Sequence, residues 1–174
     1  MMITANIVRY IKFGRGGGWA ASSLERGELH FGHGQISHEM ALTSDRRTIK
    51  QHGLHQGRDA RTASQDAREI FDFYNLGSDC LWITFAKDHL WWTFAESGVI
   101  WLGKGKGHGE RMRKSIGGWR NTDVNGAALK ISALTTKLTK VSAYRRSICA
   151  VEAQDYLLRR INGVVDPLLA QCNE

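Results

Sequence analysis

Two β-rich runs between residues 81 and 95 restrict the fold of this chain more than any other part of its sequence. The first reads Leu-Trp-Ile-Thr-Phe-Ala, the second reads Leu-Trp-Trp-Thr-Phe-Ala, and only Lys87-Asp88-His89 separates them. Runs of β-branched and aromatic residues on both sides of so short a connection are typical of a β-hairpin. Alternation along the strands predicts two apolar faces. One face carries Leu81, Ile83, Phe85, Leu90, Trp92 and Phe94, and the other carries Trp82, Thr84, Trp91 and Thr93.

The remaining patterns mix strands with helices. Further strands are predicted at residues 6–13, 28–31, 99–102 and 147–151, and helices at 19–25, 132–141 and 153–161. Another helix begins at Thr62, which forms a capping-box pattern with Gln65. Residues 44–61 are polar and are predicted as a loop, and a Gly- and cation-rich loop is expected within 103–122. This order predicts an α+β fold, organised as a single domain over residues 1–174.

The charge of the chain points to a polyanionic partner. Its formal net charge is +7, with 24 Lys and Arg against 17 Asp and Glu, and such an excess favours association with nucleic acid. No apolar run is long enough to span a bilayer, and the N-terminus lacks a signal-peptide pattern, so no membrane partner is expected. Three widely separated cysteines indicate reduced thiols rather than disulfides. We therefore predict a soluble, cytoplasmic protein that binds nucleic acid, DNA rather than RNA.

Tryptophans are the candidate base-binding residues, because an indole ring can stack on any base and contributes about 1–3 kcal/mol per base. Two of the six follow glycine-rich turns, and two share the second face of the hairpin. Near the turn at Gly117-Gly118, polar side chains could also read the edge of an extruded base. The alternative for each residue is packing in the core or bonding within a turn. The predicted base-binding set is Trp19, Trp82, Trp91, Trp119, Asn121 and Asp123.

Phosphate contacts are predicted mainly in the segment from Lys104 to Lys114, in which cations alternate with glycines. The alternative is a solvated basic loop. The segment lacks the ending of a Walker A motif, and the histidines at 30, 33 and 38 match no zinc pattern, so neither a cofactor nor a metal is predicted. The predicted phosphate-binding set is Arg15, Lys104, Lys106, Arg111, Arg113, Lys114 and Arg120.

Catalysis remains an alternative to binding. His38 and Glu39 are adjacent and could act as general acid and base, which would make the chain a nuclease or a hydrolase of nucleobases or nucleosides. No nucleophile elbow, His-Glu-x-x-His motif or paired-carboxylate nuclease motif is present. A third interpretation is a protein-interaction module that docks through an aromatic face.

The hairpin at 81–95, preceded by a helix and followed by a basic segment, resembles the PUA-like superfamily, which includes EVE, YTH, ASCH and SRA domains. The run Tyr10–Trp19 is similar to the first strand and following helix of that superfamily. Residues 117–123 and 156–163 resemble modules attached to restriction-type nucleases in bacterial phage defence. The resemblance implies a bent β-barrel with flanking helices, an aromatic pocket for a modified or flipped base, and an effector nuclease as a further partner. The aromatic role would fall on Trp19, Trp82, Trp91 and Trp119.

Overall fold

The computed structural model describes residues 1–105 and 107–164. Within them, seven strands form one strongly curled, half-barrel sheet, so the predicted α+β class is confirmed. The strands are β1 (Ile7–Ile11), β2 (Glu28–Phe31), β3 (Cys80–Ala86), β4 (His89–Ala95), β5 (Ile100–Trp101), β6 (Arg111–Arg120) and β7 (Ile148–Ala150). The helices in the same residues are α1 (Ala20–Arg26), α2 (His38–Thr43), α3 (Arg46–His55), α4 (Ala60–Asn75), α5 (Thr136–Thr139) and α6 (Gln154–Ile161). None of these helices combines the length and apolarity needed to cross a bilayer.

The sheet has the strand order β2-β6-β4-β3-β1-β7, and β5 pairs with β6. β1 and β3 are parallel, and the other pairs are antiparallel. β6 changes partners along its length: residues 111–114 pair with β2, and residues 115–120 pair with β4. Its register against β4 shifts between Trp92 and Phe94. An irregularity of this kind increases local bending and twist.

The predicted hairpin is confirmed as β3 and β4. Its turn consists of Lys87 and Asp88, whose φ angles of 52° and 61° are both positive, as a two-residue hairpin turn with matching twist requires. Leu81 lies opposite Phe94, and Ile83 lies opposite Trp92. The two residues of each pair therefore share a face, as the alternation predicted.

Each face of the hairpin belongs to a separate hydrophobic core. On the first face, Ile83 and Trp92 pack with Leu138 of α5 and Leu157 of α6. On the second, α4 covers the sheet, and the ring of Phe73 meets Trp82 edge to face with centroids 6.2 Å apart. The central strands are thus covered on both sides.

The prediction of a loop over residues 44–61 is wrong, because α3 occupies most of it. Asp45 begins this helix by accepting a hydrogen bond from the Thr48 N–H at 2.8 Å. Only Ile49 and Gly53 of α3 are buried, so the helix has almost no apolar stripe that the sequence pattern could reveal. The capping box at Thr62 is also corrected: Asp59 caps α4 and accepts from the Thr62 N–H at 2.9 Å.

The predicted loop within 103–122 is corrected as well, because β6 runs through its second half. The side chains of Arg111 and Arg113 are 0% and 1% exposed. Arg111 donates to the carbonyls of His33 and Ile36, and Arg113 donates to those of Phe73 and Glu96. Both residues are therefore removed from the predicted phosphate contacts, because their guanidinium groups hold together the interior and cannot reach a bound polyanion.

Candidate functional site

A cleft of about 340 Å³ lies where the loop after β1 meets the ends of β2 and β7. We call it the Trp19 cleft. Its lining combines one indole ring with three cationic side chains, and no carboxylate side chain of the described residues lines it. The lining residues are Lys12, Gly14, Arg15, Trp19, Phe31, Gly32, His33, Arg145 and Ser147.

The loop after β1 presents Trp19 to the cleft. Gly14 has φ 75° and ψ 178°, a backbone region that is essentially restricted to glycine. The Trp19 N–H then returns to the Phe13 carbonyl at 3.0 Å, which places the indole at the start of α1. A Cβ atom built on Gly109 would lie 3.1 Å from the indole. The ring is therefore held against bare backbone and is partly exposed at the cleft.

The three cations come from two segments that are far apart in the sequence. Lys12 and Arg15 lie in the loop after β1, Arg15 within the glycine-rich turn at residues 14–18, and Arg145 lies shortly before β7. The antiparallel pairing of β1 with β7 is extended by a hydrogen bond from the Lys12 N–H to the Ser147 carbonyl at 2.8 Å. This pairing brings the Lys12 and Arg145 segments to the same side of the cleft. Clustered cations in a concave site raise the local concentration of anions.

His33 forms part of the opposite wall and is fixed by its neighbours. Its Nε2 lies 2.8 Å from Oε2 of the buried Glu69, and its Nδ1 lies 3.1 Å from the Gln35 amide nitrogen. The backbone of His33 has φ 62°, a conformation that costs of order 1–3 kcal/mol in a non-glycine residue. Because both ring nitrogens are engaged, the imidazole shapes the wall and has no free nitrogen to offer a substrate.

Glu69 joins the two walls of the cleft. Its Oε1 accepts hydrogen bonds from Arg146 Nε at 3.0 Å, from the Ser147 N–H at 3.0 Å and from the Ile148 N–H at 3.2 Å. The Arg146 side chain thus turns inward, while its neighbour Arg145 is exposed at the cleft. A buried, charge-assisted network of this kind is expected to hold its members rigidly.

The same network contains the only close cluster of metal-binding side chains in the described residues. One ligand atom each of His33, Asp66 and Glu69 lies within 4.8 Å of the others. Two arginines already face these carboxylates: Arg146 Nη2 is 2.6 Å from Asp66 Oδ1, and Arg58 Nη1 is 2.9 Å from Asp66 Oδ2. A metal ion would meet these positive charges, so the geometry is that of an ion-pair network.

The structure brings together Trp19 and Arg15 from the predicted site and separates the other tryptophans from them. Trp82 is 0% exposed and packs in the core, so its predicted role in base stacking is wrong. The Trp91 N–H is bonded to the Ala86 carbonyl at 2.9 Å, and the ring packs against the same core. Trp119 is 9% exposed and donates to the Glu28 carbonyl. The described cavities therefore contain no pair of indoles that could sandwich a base.

Trp119 lines a different cavity, of about 490 Å³, whose charges are mixed. Lys114 and Arg26 contribute two cations, and three glutamates contribute carboxylates to the same lining. A polyanion would meet repulsion there as well as attraction. The glutamates are Glu25, Glu28 and Glu96.

The remaining predicted contacts also lie outside the Trp19 cleft. Asp123 Oδ1 accepts the N–H groups of Asn125 and Ala127 and so closes a turn, and the residue does not line the Trp19 cleft. The backbone carbonyl of Asn121 accepts from the Leu129 N–H, and Asn121 does not line the cleft. Lys104 is exposed, and Arg120 lies over the Trp92 ring at 5.3 Å. Lys106 lies outside the described residues.

His38 and Glu39 do not form a catalytic pair. His38 Nδ1 lies 2.8 Å from the Tyr74 hydroxyl, and its ring stacks on Trp101 with centroids 6.1 Å apart. Desolvation and the neighbouring Arg111 guanidinium lower the pKa of His38. Glu39 is exposed in the first turn of α2. The predicted general acid–base pair is therefore not assembled in the described part of the chain.

Sequence reasoning missed Lys12, His33 and Arg145 as cleft residues. No local pattern assigns these three residues to one site, and only the pairing of β1 with β7 and the network around Glu69 bring them together. Comparison with known proteins adds no further assignment: no family model, no curated protein and no solved structure matches the chain. The resemblance to the PUA-like superfamily therefore stays a prediction.

Proposed function

We propose that this chain is a nucleic-acid-binding module of the PUA-like type and that the Trp19 cleft holds one unpaired base. The observation that carries the proposal is the convergence of Trp19 with Lys12, Arg15 and Arg145 on one concave surface. An indole can stack on any base, whereas clustered cations replace the counterions of the phosphate chain. A nucleotide carries a base and a phosphate, so a site for it needs an aromatic ring and cations close to each other.

The base would lie on the accessible side of the indole. Backbone at Gly14 and Gly109 packs against the ring, and Trp19 is the one tryptophan among the described residues of the lining, so the cleft offers stacking from a single indole. This differs from the sandwich of indoles expected from the sequence. A base that is already unpaired, modified or extruded enters such a cleft at lower cost than a paired base. The half-barrel sheet with its surrounding helices is compatible with the PUA-like form of the proposal.

The proposal is tested by titrating labelled DNA and RNA oligonucleotides at two salt concentrations. Replacement Trp19→Leu is expected to weaken binding by about 1–3 kcal/mol, the range of base–aromatic stacking. Replacement Arg145→Gln is expected to lower the salt slope by about 1. Trp91→Leu and Arg159→Gln, which change a tryptophan and an exposed arginine outside the cleft, are matched controls and should leave binding unchanged.

The preference for DNA and for a modified base is tested in the same titrations. Higher affinity for DNA than for RNA, and for one modification state over the others, supports base reading in DNA. Equal affinities for every modification state would reject modified-base recognition and leave general single-strand binding. Absence of binding at low salt would reject the proposed function as a whole.

A further inference from the structure

We propose that the chain binds a dinucleotide unit of a single strand, with the second base in a cavity on the far side of the glycine-rich turn. This inference rests on the proposed function of the Trp19 cleft. The second cavity, which we call the Phe85 cavity, has a volume of about 350 Å³. Its lining includes Tyr10, Lys12, Gly16, Thr84, Phe85 and Ser142.

The two cavities are adjacent because residues 14–17 of the glycine-rich turn form the wall between them. Gly14 and Arg15 line the Trp19 cleft, whereas Gly16 and Gly17 line the Phe85 cavity. Lys12 lines both. A stretch of only a few residues therefore separates two cavities of nearly equal size. Consecutive nucleotides in a strand likewise place two bases on either side of one phosphate group.

The wall between the cavities offers backbone N–H groups and a nearby lysine that could bind that phosphate. Gly16, with φ 63° and ψ 18°, lies in a tight turn, a setting in which successive backbone N–H groups can form a concave surface that favours anions. No carbonyl of the described residues accepts from the N–H of Arg15 or Gly16. The Lys12 side chain adds a positive charge within reach of both cavities.

The Phe85 cavity suits a base better than a second phosphate. Lys12 is its one cationic lining residue among those described, and Phe85 is partly exposed beside Tyr10, with ring centroids 5.9 Å apart. The Tyr10 hydroxyl is neutral at physiological pH, and burial raises its pKa further, to about 12. Stacking on an aromatic surface tolerates any base, because every base has a π-face.

The test measures a series of oligothymidylates in competition with a labelled longer strand. For the wild-type chain, the dinucleotide should bind at least about fivefold more tightly than the mononucleotide, which is the lower end of one base–aromatic stack. Ser142→Leu fills the mouth of the Phe85 cavity from an exposed position, and Phe85→Leu removes the aromatic face while keeping apolar volume. Each replacement should reduce dinucleotide affinity to that of the mononucleotide and leave mononucleotide affinity unchanged.

Ser97→Leu, at an exposed serine outside both cavities, is the matched control and should change neither affinity. Equal wild-type affinities for the mononucleotide and the dinucleotide, or a dinucleotide advantage that survives Ser142→Leu, would overturn the second subsite. In either case, Trp19-dependent binding of the mononucleotide would leave the proposed function standing. If neither mononucleotide nor longer strands bind at low salt, the proposed function fails, and this inference fails with it.

Discussion

The indole of Trp19 packs on Gly14 so closely that a Cβ atom built on the glycine would lie 2.8 Å from Cδ2 and Cε2. Replacement Gly14→Ala should therefore push the ring out of position and also strain the backbone by about 1–3 kcal/mol. We expect lower stability in urea denaturation and at least about fivefold weaker oligonucleotide binding. Gly57→Ala separates the two effects, since Gly57 has φ 86° but no atom close to such a Cβ; it should lose stability and keep its affinity. Unchanged affinity in both variants would show that the position of Trp19 does not govern binding.

Loss of the buried carboxylate that joins the two walls should destabilise the protein strongly. Glu69→Gln leaves Arg146 and its backbone partners without their charged acceptor, and breaking one side of a buried ion pair typically costs about 3–5 kcal/mol. Chemical denaturation measures the change in the free energy of unfolding. Glu25→Gln, at an exposed position of α1, should have little effect. Similar stability of the two variants would mean that the network does not hold the cleft together.

His38 should make the folded state less stable in mild acid. Its pKa in the folded chain is lowered from 6.5, so below pH 6.5 the unfolded chain binds the proton more readily. Above pH 6.5, His38 is neutral in both states and does not reduce the free energy of unfolding. As the pH falls from 6.5 toward the lowered pKa of the folded state, protonation of the unfolded chain reduces that free energy. Unfolding free energies measured between about pH 5 and 8 should thus fall less steeply on the acid side for His38→Gln than for the wild type. The exposed residue His55 provides the control: an identical change for His55→Gln would argue against a specific role of His38.

The hairpin turn offers a stabilising substitution. Asp88 has φ 61°, a conformation that costs a non-glycine residue about 1–2 kcal/mol. Glycine avoids this cost, but it loses more conformational entropy on folding, so only part of the cost is gained as stability. Asp88→Gly should raise the free energy of unfolding by up to about 1 kcal/mol, seen as a higher melting temperature. Asp79→Gly, where φ is not positive, should give no gain. A lower melting temperature for Asp88→Gly would contradict the turn geometry.

Much of the fold could be predicted from local patterns. The hairpin was predicted because two β-rich runs flank a short connection, and Trp82 and Trp92 were placed on opposite faces because side chains alternate along a strand. α3 could not be predicted, because its one large buried residue is Ile49 and a single position has no periodicity. β6 was obscured by its glycines and cations. A buried arginine such as Arg113 cannot be told from an exposed one until its carbonyl partners are known.

The candidate site was only partly predictable. Trp19 and Arg15 could be identified, because a glycine-rich turn beside an aromatic ring is a local signal. Arg145 carried no such signal, since its place at the cleft depends on the pairing of β1 with β7 and on the inward turn of Arg146. Trp82 was assigned to base stacking because an indole at a core position and one at a cleft look alike in sequence. Only the pairing of strands that are distant in sequence determines which indole lies in the core and which lies at the cleft.

β1 lies between β3 and β7, and β7 comes from the last third of the chain. During synthesis on a ribosome, the N-terminal strand can acquire its first neighbour only after β3 has emerged, and its second only after Ile148–Ala150 have emerged. Until then the nascent chain keeps an open strand edge, the kind of surface that invites unwanted pairing with other chains. Because Arg145 lies three residues before Ile148, the Trp19 cleft cannot form until this segment has emerged and β7 has paired with β1.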